Sequence, residues 1–167
     1  MDITYRKAIP QDAEALLSFL KTVGGESDNL SFGSEGAPIS VQQEAAYLQS
    51  LQSDSSAAMI LALDGNTIVG NASINGSSRP RFCHRKTIAI TVRKSHWGQG
   101  IGTGLMERLI AFARETDTEV ITLEVRSDNL RAKALYEKFG FCTFGVYEKF
   151  FKIDGNYFSA DYMNLYL

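Results

Sequence analysis

Apolar and polar positions recur along the chain with a period that changes several times. Residues 3–9 carry β-branched and aromatic side chains and predict a strand. Pro10 then opens an amphipathic stretch, residues 11–21, in which Ala13, Leu16, Leu17 and Leu20 recur at helical spacing. Between Gly24 and Ser40 the chain turns to Gly, Ser, Asp, Asn and a Pro, which sustain neither period and predict an irregular segment. Ser40-Val41-Gln42-Gln43 has the spacing of a capping box, so a second helix is expected to about Gln52, with Val41, Ala45, Leu48 and Leu51 on its apolar face. Residues 57–63 and 67–74 flank Asp64-Gly65-Asn66 and read as a β-hairpin. Residues 75–80 form another polar turn, and residues 82–92 a third strand of the same meander.

The pattern changes at Gly98. A helix over residues 102–116 gathers Leu105, Met106, Leu109, Ile110 and Ala113 on one face. Residues 120–126 alternate, with Ile121, Leu123 and Val125 on one side and Thr122, Glu124 and Arg126 on the other. Another helix, residues 129–139, puts Ala132, Leu135, Tyr136 and Phe139 on one stripe and stops at Gly140, a residue suited to a left-handed cap. The tail returns to strands around Asp154-Gly155-Asn156, and no internal repeat is visible. An antiparallel meander followed by alternating strands and helices predicts a single α/β (α+β) domain over residues 1–167.

Composition narrows the function classes. With 17 Lys+Arg against 19 Asp+Glu, no excess of positive charge draws the chain to nucleic acid or to an anionic membrane. The N-terminus lacks the apolar core of a signal peptide, and no run approaches the ~18 apolar residues of a membrane span. The two cysteines, Cys83 and Cys142, lie in strand-like apolar stretches and read as buried, inert packing, without metal-ligand spacing. A soluble protein of the reducing cytoplasm, without a metal, is the expectation. His84 and His96 are read as surface loop residues, and Arg79, Arg81, Arg85 and Lys86 as a solvated strand edge that would bind cofactor phosphates or an acidic acceptor if it binds anything.

The chemistry-bearing signal is Gly98-Gln99-Gly100-Ile101-Gly102-Thr103-Gly104, placed between a strand and an amphipathic helix. Glycines let the backbone approach a ligand, and the free N–H groups of a helix start favour phosphate. A bare strand-to-helix turn is the alternative. A P-loop would need Lys-Ser/Thr after the last glycine, and Thr103-Gly104-Leu105 has no lysine. A dinucleotide fingerprint would need glycine where Thr103 stands, and one strand–helix–strand unit leaves little room for a nicotinamide.

Trp97-Gly98-Gln99-Gly100-Ile101-Gly102 resembles the Gln/Arg-x-x-Gly-x-Gly/Ala signature of the GNAT acetyltransferase superfamily, with Trp97 where Arg or Gln is usual. Leu123-Glu124-Val125-Arg126, then Asn129, Ala132, Leu135-Tyr136 and Gly140-Phe141, resembles the next block of that family, Asn-x-x-Ala-x-x-Leu-Tyr-x-x-x-Gly-Phe. The resemblance implies a mixed, mostly antiparallel, splayed sheet flanked by helices, with acetyl-CoA as cosubstrate. It implies that Ile90, Thr91 and Val92 hold the pantetheine by backbone hydrogen bonds, and that Trp97, Gly98, Gln99, Gly100, Ile101, Gly102 and Thr103 hold the pyrophosphate. Asn129, Ala132 and Tyr136 would then flank the thioester.

Tyr136 is implied as general acid, against the alternative of a buried aromatic with a structural hydroxyl partner. Glu124 is implied as base through the Leu-Glu-Val-Arg run, which resembles the ribosomal-protein-alanine acetyltransferases; its alternative is a surface pair with Arg126 or a lysine. Asn129 is a cofactor contact or a helix cap, a role open equally to Ser127 and Asp128. The acceptor is a small-molecule amine or a protein N-terminal amine, the latter hinted at by the Leu-Glu-Val-Arg run and the former by the segment from Gly24 to Ser40. A homodimer is compatible with all of this. The competing function is an acyl-CoA-binding regulatory or sensor module without turnover; a small nicotinamide oxidoreductase ranks behind both.

Overall fold

A computed structural model describes residues 2–167. Strand β1 (Ile3–Lys7) leads through a 3-10 turn at Pro10–Asp12 into helix α1 (Ala13–Glu26), and α2 (Val41–Leu51) follows after a loop. Strands β2 (Ala58–Asp64), β3 (Thr67–Gly76) and β4 (Arg85–Val92) form the meander. Helix α3 (Ile101–Glu115), β5 (Val120–Arg126), α4 (Leu130–Lys138), β6 (Cys142–Ile153) and β7 (Asn156–Tyr166) complete the chain. The seven strands make one sheet in the order β1-β2-β3-β4-β5-β7-β6. Among the described residues only the β4–β5 contact is parallel.

That parallel contact positions the site. It consists of Arg85↔Val120, Lys86↔Ile121 and Thr87↔Thr122 and then stops. β4 stays paired with β3 as far as Val92, while β7 holds β5 along its full length, from Val120↔Tyr166 to Arg126↔Ala160. Each strand is thus satisfied on its outer side and drawn away from the other. From Ile88 and Leu123 onward the two facing edges carry N–H and C=O groups with no strand partner, an opening that needs another hydrogen-bonding ligand or water.

Helix α3 lies over β1 to β4 on one face, and α1 and α2 cover β2 and β3 on the other. Leu105, Met106 and Leu109 of α3 pack with Ala72, Ile74, Ile88, Ile121 and Leu123, and each is fully buried. Burial of that kind contributes roughly 2 kcal/mol per side chain. The second cluster joins Leu16, Phe19 and Val23 of α1 and Leu48 of α2 to Leu61 and Leu63. Tyr136 of α4 joins the α3 cluster. The opposite face of β5, β7 and β6 is open, with Glu124, Phe144 and Tyr147 exposed on it.

Several expectations need correction. α1 runs on through Gly24 and Gly25 to Glu26, and the irregular segment folds back onto it so closely that a Cβ at Gly24 would collide with the Gly33 carbonyl oxygen. Residues 82–84 form a turn, with Phe82 and Cys83 both donating from their backbone to Arg79 O, so β4 begins only at Arg85. Cys83 and Cys142 are exposed, the first on that turn and the second at the start of the edge strand β6. Lys86 is no solvated edge residue. It is buried in a central strand, its Nζ donating to Ser56 O at 3.0 Å and lying over the Phe112 ring of α3. Arg126 is buried rather than exposed beside Glu124, forking onto Asp128 at 2.8 and 2.6 Å and stacking on Phe158. No helix among the described residues is long and apolar enough to cross a membrane.

Candidate active site

The splay between β4 and β5 opens into a cleft of about 940 Å³. Ile88 to Val92 form one wall and Glu124 to Arg126 the other; Gly98, Gly100 and Ile101 to Thr103 close one end. Gly98 (φ 78°) and Gly100 (φ 80°) both take the left-handed conformation, which a side chain disfavours. A Cβ at either would meet nothing within 4 Å, so the backbone faces open space. Gly100 is the N-cap of α3 and supplies no side-chain cap. The first N–H groups of this helix are therefore available to an anion, reinforced by the helix dipole.

Trp97 stabilises that end. Its indole Nε1 donates to Val92 O at 2.8 Å, tying the loop back to the end of β4, and Arg131 of α4 stacks on its face with the guanidinium carbon 4.6 Å from the ring centroid. Arg131 thus supplies a cation at the cleft where residue 97 has none. Gln99 turns away instead, donating from Nε2 to Ser95 O at 3.1 Å; it is the one expected cofactor-binding residue that does not line the cleft. Ile90, Thr91, Val92, Trp97, Gly98, Gly100, Ile101, Gly102, Thr103, Glu124, Asn129, Ala132 and Tyr136 all do.

Asn129 caps α4, its Oδ1 accepting from Ala132 N at 3.2 Å. The start of α4 is held further by Asp161, which accepts from Ser127 Oγ at 2.5 Å and Lys133 Nζ at 2.6 Å, and from Thr143 Oγ1 at 3.3 Å. Burial pushes the Asp161 carboxyl up, but these bonds outweigh it and hold the group below its ordinary value. Tyr136 projects from the helix so fixed. Burial raises its phenol from 10.0 to about 12, and among the described residues its hydroxyl has no protein hydrogen-bond partner. Glu124 is exposed on the opposite wall, beside Tyr162 in the β5–β7 register, and has no ion-pair partner among the described residues. The Glu124–Arg126 pair does not form, because Asp128 takes the guanidinium.

The pattern of the acetyltransferase (GNAT) family matches residues 28–141. The chain belongs to the GNAT acetyltransferase family. Family members take their acetyl group from acetyl-CoA, and a putative acetyltransferase from Salmonella typhimurium, 20% identical, has been solved with that cofactor. It shares this fold with a TM-score of 0.86, covering 100% of this chain and 95% of that one. A GNAT-family acetyltransferase from Streptococcus pneumoniae superposes with a TM-score of 0.96 at 27% identity, covering 99% of this chain and all of the other. The N-alpha-acetyltransferase RimI of Mycobacterium tuberculosis is 36% identical over 94 residues, 56% of this chain and 58% of that protein. The chain therefore matches little more than half the length of that relative.

Glu26 and residues 27 and 29–32, within the segment expected to shape an acceptor pocket, line the cleft, and so do Arg131, Phe150 and Phe151, which sequence reasoning missed. Phe150 and Phe151 reach the cleft because β6 breaks register between Tyr147 and Phe151, with Lys149 at φ 56°, and no glycine marks that bulge.

Proposed function

We propose that the chain is an N-acetyltransferase that moves an acetyl group from acetyl-CoA directly to the primary amine of a small molecule or a protein N-terminus. The observation that carries this reading is the splayed β4–β5 junction, with a free glycine-rich helix start at one end and Tyr136 and Glu124 on its walls. The residues fit the cosubstrate: the unpaired β4 edge offers amide groups to an extended pantetheine chain, as in strand addition, and the N–H groups after Gly100 suit a pyrophosphate. Acetyl-CoA supplies the acetyl group as a thioester; transfer breaks its C–S bond and forms an N–C bond.

The protein's part is proton handling and placement. Glu124, free of ion pairing and open to water, accepts the proton that an ammonium must lose, directly or through a water. Tyr136 keeps its proton throughout the physiological range because burial disfavours the phenolate. It donates that proton to the departing thiolate. Asn129, while capping α4, sets Ala132 and Tyr136 along the cleft. Titration calorimetry with acetyl-CoA and thiol release over a panel of amines, amino acids and N-terminal peptides tests the reading. Saturable binding with thiol release for at least one acceptor is expected. Binding without release for every acceptor would favour the sensor module, and no binding at high micromolar concentration would sink both.

A further inference from the structure

A second cavity, of about 480 Å³, lies at the end of β4 opposite the glycine loop, around the turn between β3 and β4. Arg79, Phe82, Arg85 and Lys86 line it, together with the paired Thr87 and Thr122, and no acidic side chain does. Thr87 belongs to both cavities. Alternation along the strands puts Arg85, Thr87 and Ala89 of β4 and Thr122 and Glu124 of β5 on one face, away from α3, whose side of β4 is marked by Ile88 in the α3 core cluster. One groove therefore runs down the open face of the sheet. It carries a carboxylate at the upper end and two arginines at the lower, and neither Arg79 nor Arg85 has an ion-pair partner among the described residues.

The arginines lie at the wrong end of β4 to serve the cofactor diphosphate. The glycine loop follows Val92, and the length of β4 from Arg85 to that end is roughly 23 Å at ~3.3 Å per residue. From Arg85 to the level of Ala89 and Glu124 is roughly 13 Å on the same basis. A free amino acid carries its carboxylate on the carbon that bears its amine, and cannot touch both ends. An extended peptide advances ~3.3–3.6 Å per residue, so an amine beside Glu124 brings its third to fifth side chains to the arginines. Arg79, Phe82 and Arg85 are all exposed, so the rest of a polypeptide leaves freely at that end.

We propose that the acceptor is a peptide or protein N-terminus with Asp or Glu at its third to fifth positions, read by Arg79 and Arg85. This rests on the acetyl-transfer reading above and names its substrate class. The N-terminal ammonium meets Glu124 and the acidic side chains meet the arginines, a dipolar match that rejects basic N-termini by like-charge contact.

The test is acetyl transfer to two decapeptides, both starting Ser-Gly, with either three glutamates or three lysines at positions three to five, alongside alanine amide as a short acceptor. Two partly exposed charge contacts predict a kcat/KM about tenfold higher for the acidic peptide, shrinking as salt rises from ~0.05 to ~0.5 M. The double variant Arg79→Glu, Arg85→Glu is expected to reverse the preference, and Arg85→Gln to bring the ratio toward one. Transfer to alanine amide with no preference for the acidic peptide, or a preference unmoved by the double variant, overturns the groove assignment alone. No transfer to any of the three acceptors overturns this assignment, and the acetyl-transfer reading falls with it only if acetyl-CoA binds and no member of the amine panel gives thiol release.

Discussion

Tyr136 shows how surroundings change the acidity of one side chain. Among the described residues its hydroxyl has no protein partner, and its phenol is held near 12 by burial. Tyr136→Phe is therefore expected to lower turnover by tenfold or more while leaving acetyl-CoA affinity within twofold, read by kcat against calorimetric Kd. The same burial affects stability. The native state keeps this proton more tightly than the unfolded chain, whose phenol ionises near 10, so the contribution is complete below pH 10 and is lost as pH rises toward 12. Urea midpoints of the wild type should fall more steeply between pH 10 and 11.5 than those of Tyr136→Phe. Asp161 has the opposite sign: its lowered carboxyl contributes above the ordinary value of 3.8, and the contribution is lost as pH falls through its native value. Asp161→Asn leaves Lys133 without its partner and is expected to cost about 2 kcal/mol in urea unfolding at pH 7. The Asn-x-x-Ala-x-x-Leu-Tyr spacing pointed to Tyr136 as a cofactor neighbour, and it lies on the cleft wall. Asp161 was not legible in the sequence, because its three partners come from β6, α4 and the turn before that helix.

At the level of elements, periodicity found the helices and strands well wherever one face is buried, and failed where a local contact decides. The α3 stripe of Leu105, Met106, Leu109, Ile110 and Ala113 is the stripe that is buried. Ser40 and Gln43 form the expected reciprocal cap of α2, at 3.2 and 2.8 Å. The end of α1 was missed because two glycines read as a break, whereas Gly24 is there to let the loop approach. The bulge in β6 was missed because nothing in Glu148-Lys149-Phe150 announces a left-handed residue. The glycine loop was legible as a loop, but its two positive φ values are what make it specific. Gly100→Ala places a Cβ on a left-handed N-cap and in the mouth of the cleft. It is expected to cost about 1 kcal/mol in thermal unfolding and to weaken acetyl-CoA binding about tenfold by calorimetry.

At the scale of the whole molecule, the order β1-β2-β3-β4-β5-β7-β6 was only partly legible. The meander and the tail hairpin followed from their turns, but no local signal says that β7 inserts between β5 and β6, and that insertion is what draws β5 from β4. The cleft thus depends on a long-range pairing, while the residues proposed for its chemistry sit in two short motifs. The sheet is two stiff halves joined by three residue pairs at one end. A ligand bridging the open end resembles a wedge between two blades sharing a short hinge. The chain carries its own reporters for this. Cys83 sits on the turn leading into β4 and Cys142 opens β6, both thiols are exposed, and they are the only two in the sequence. Spin labels on the unaltered protein therefore measure one distance, from one half of the sheet to the other. A narrower distance distribution with acetyl-CoA than without is the expected outcome. An unchanged distribution would mean that the cofactor leaves the three-pair junction, at whose level both cysteines lie, undisturbed.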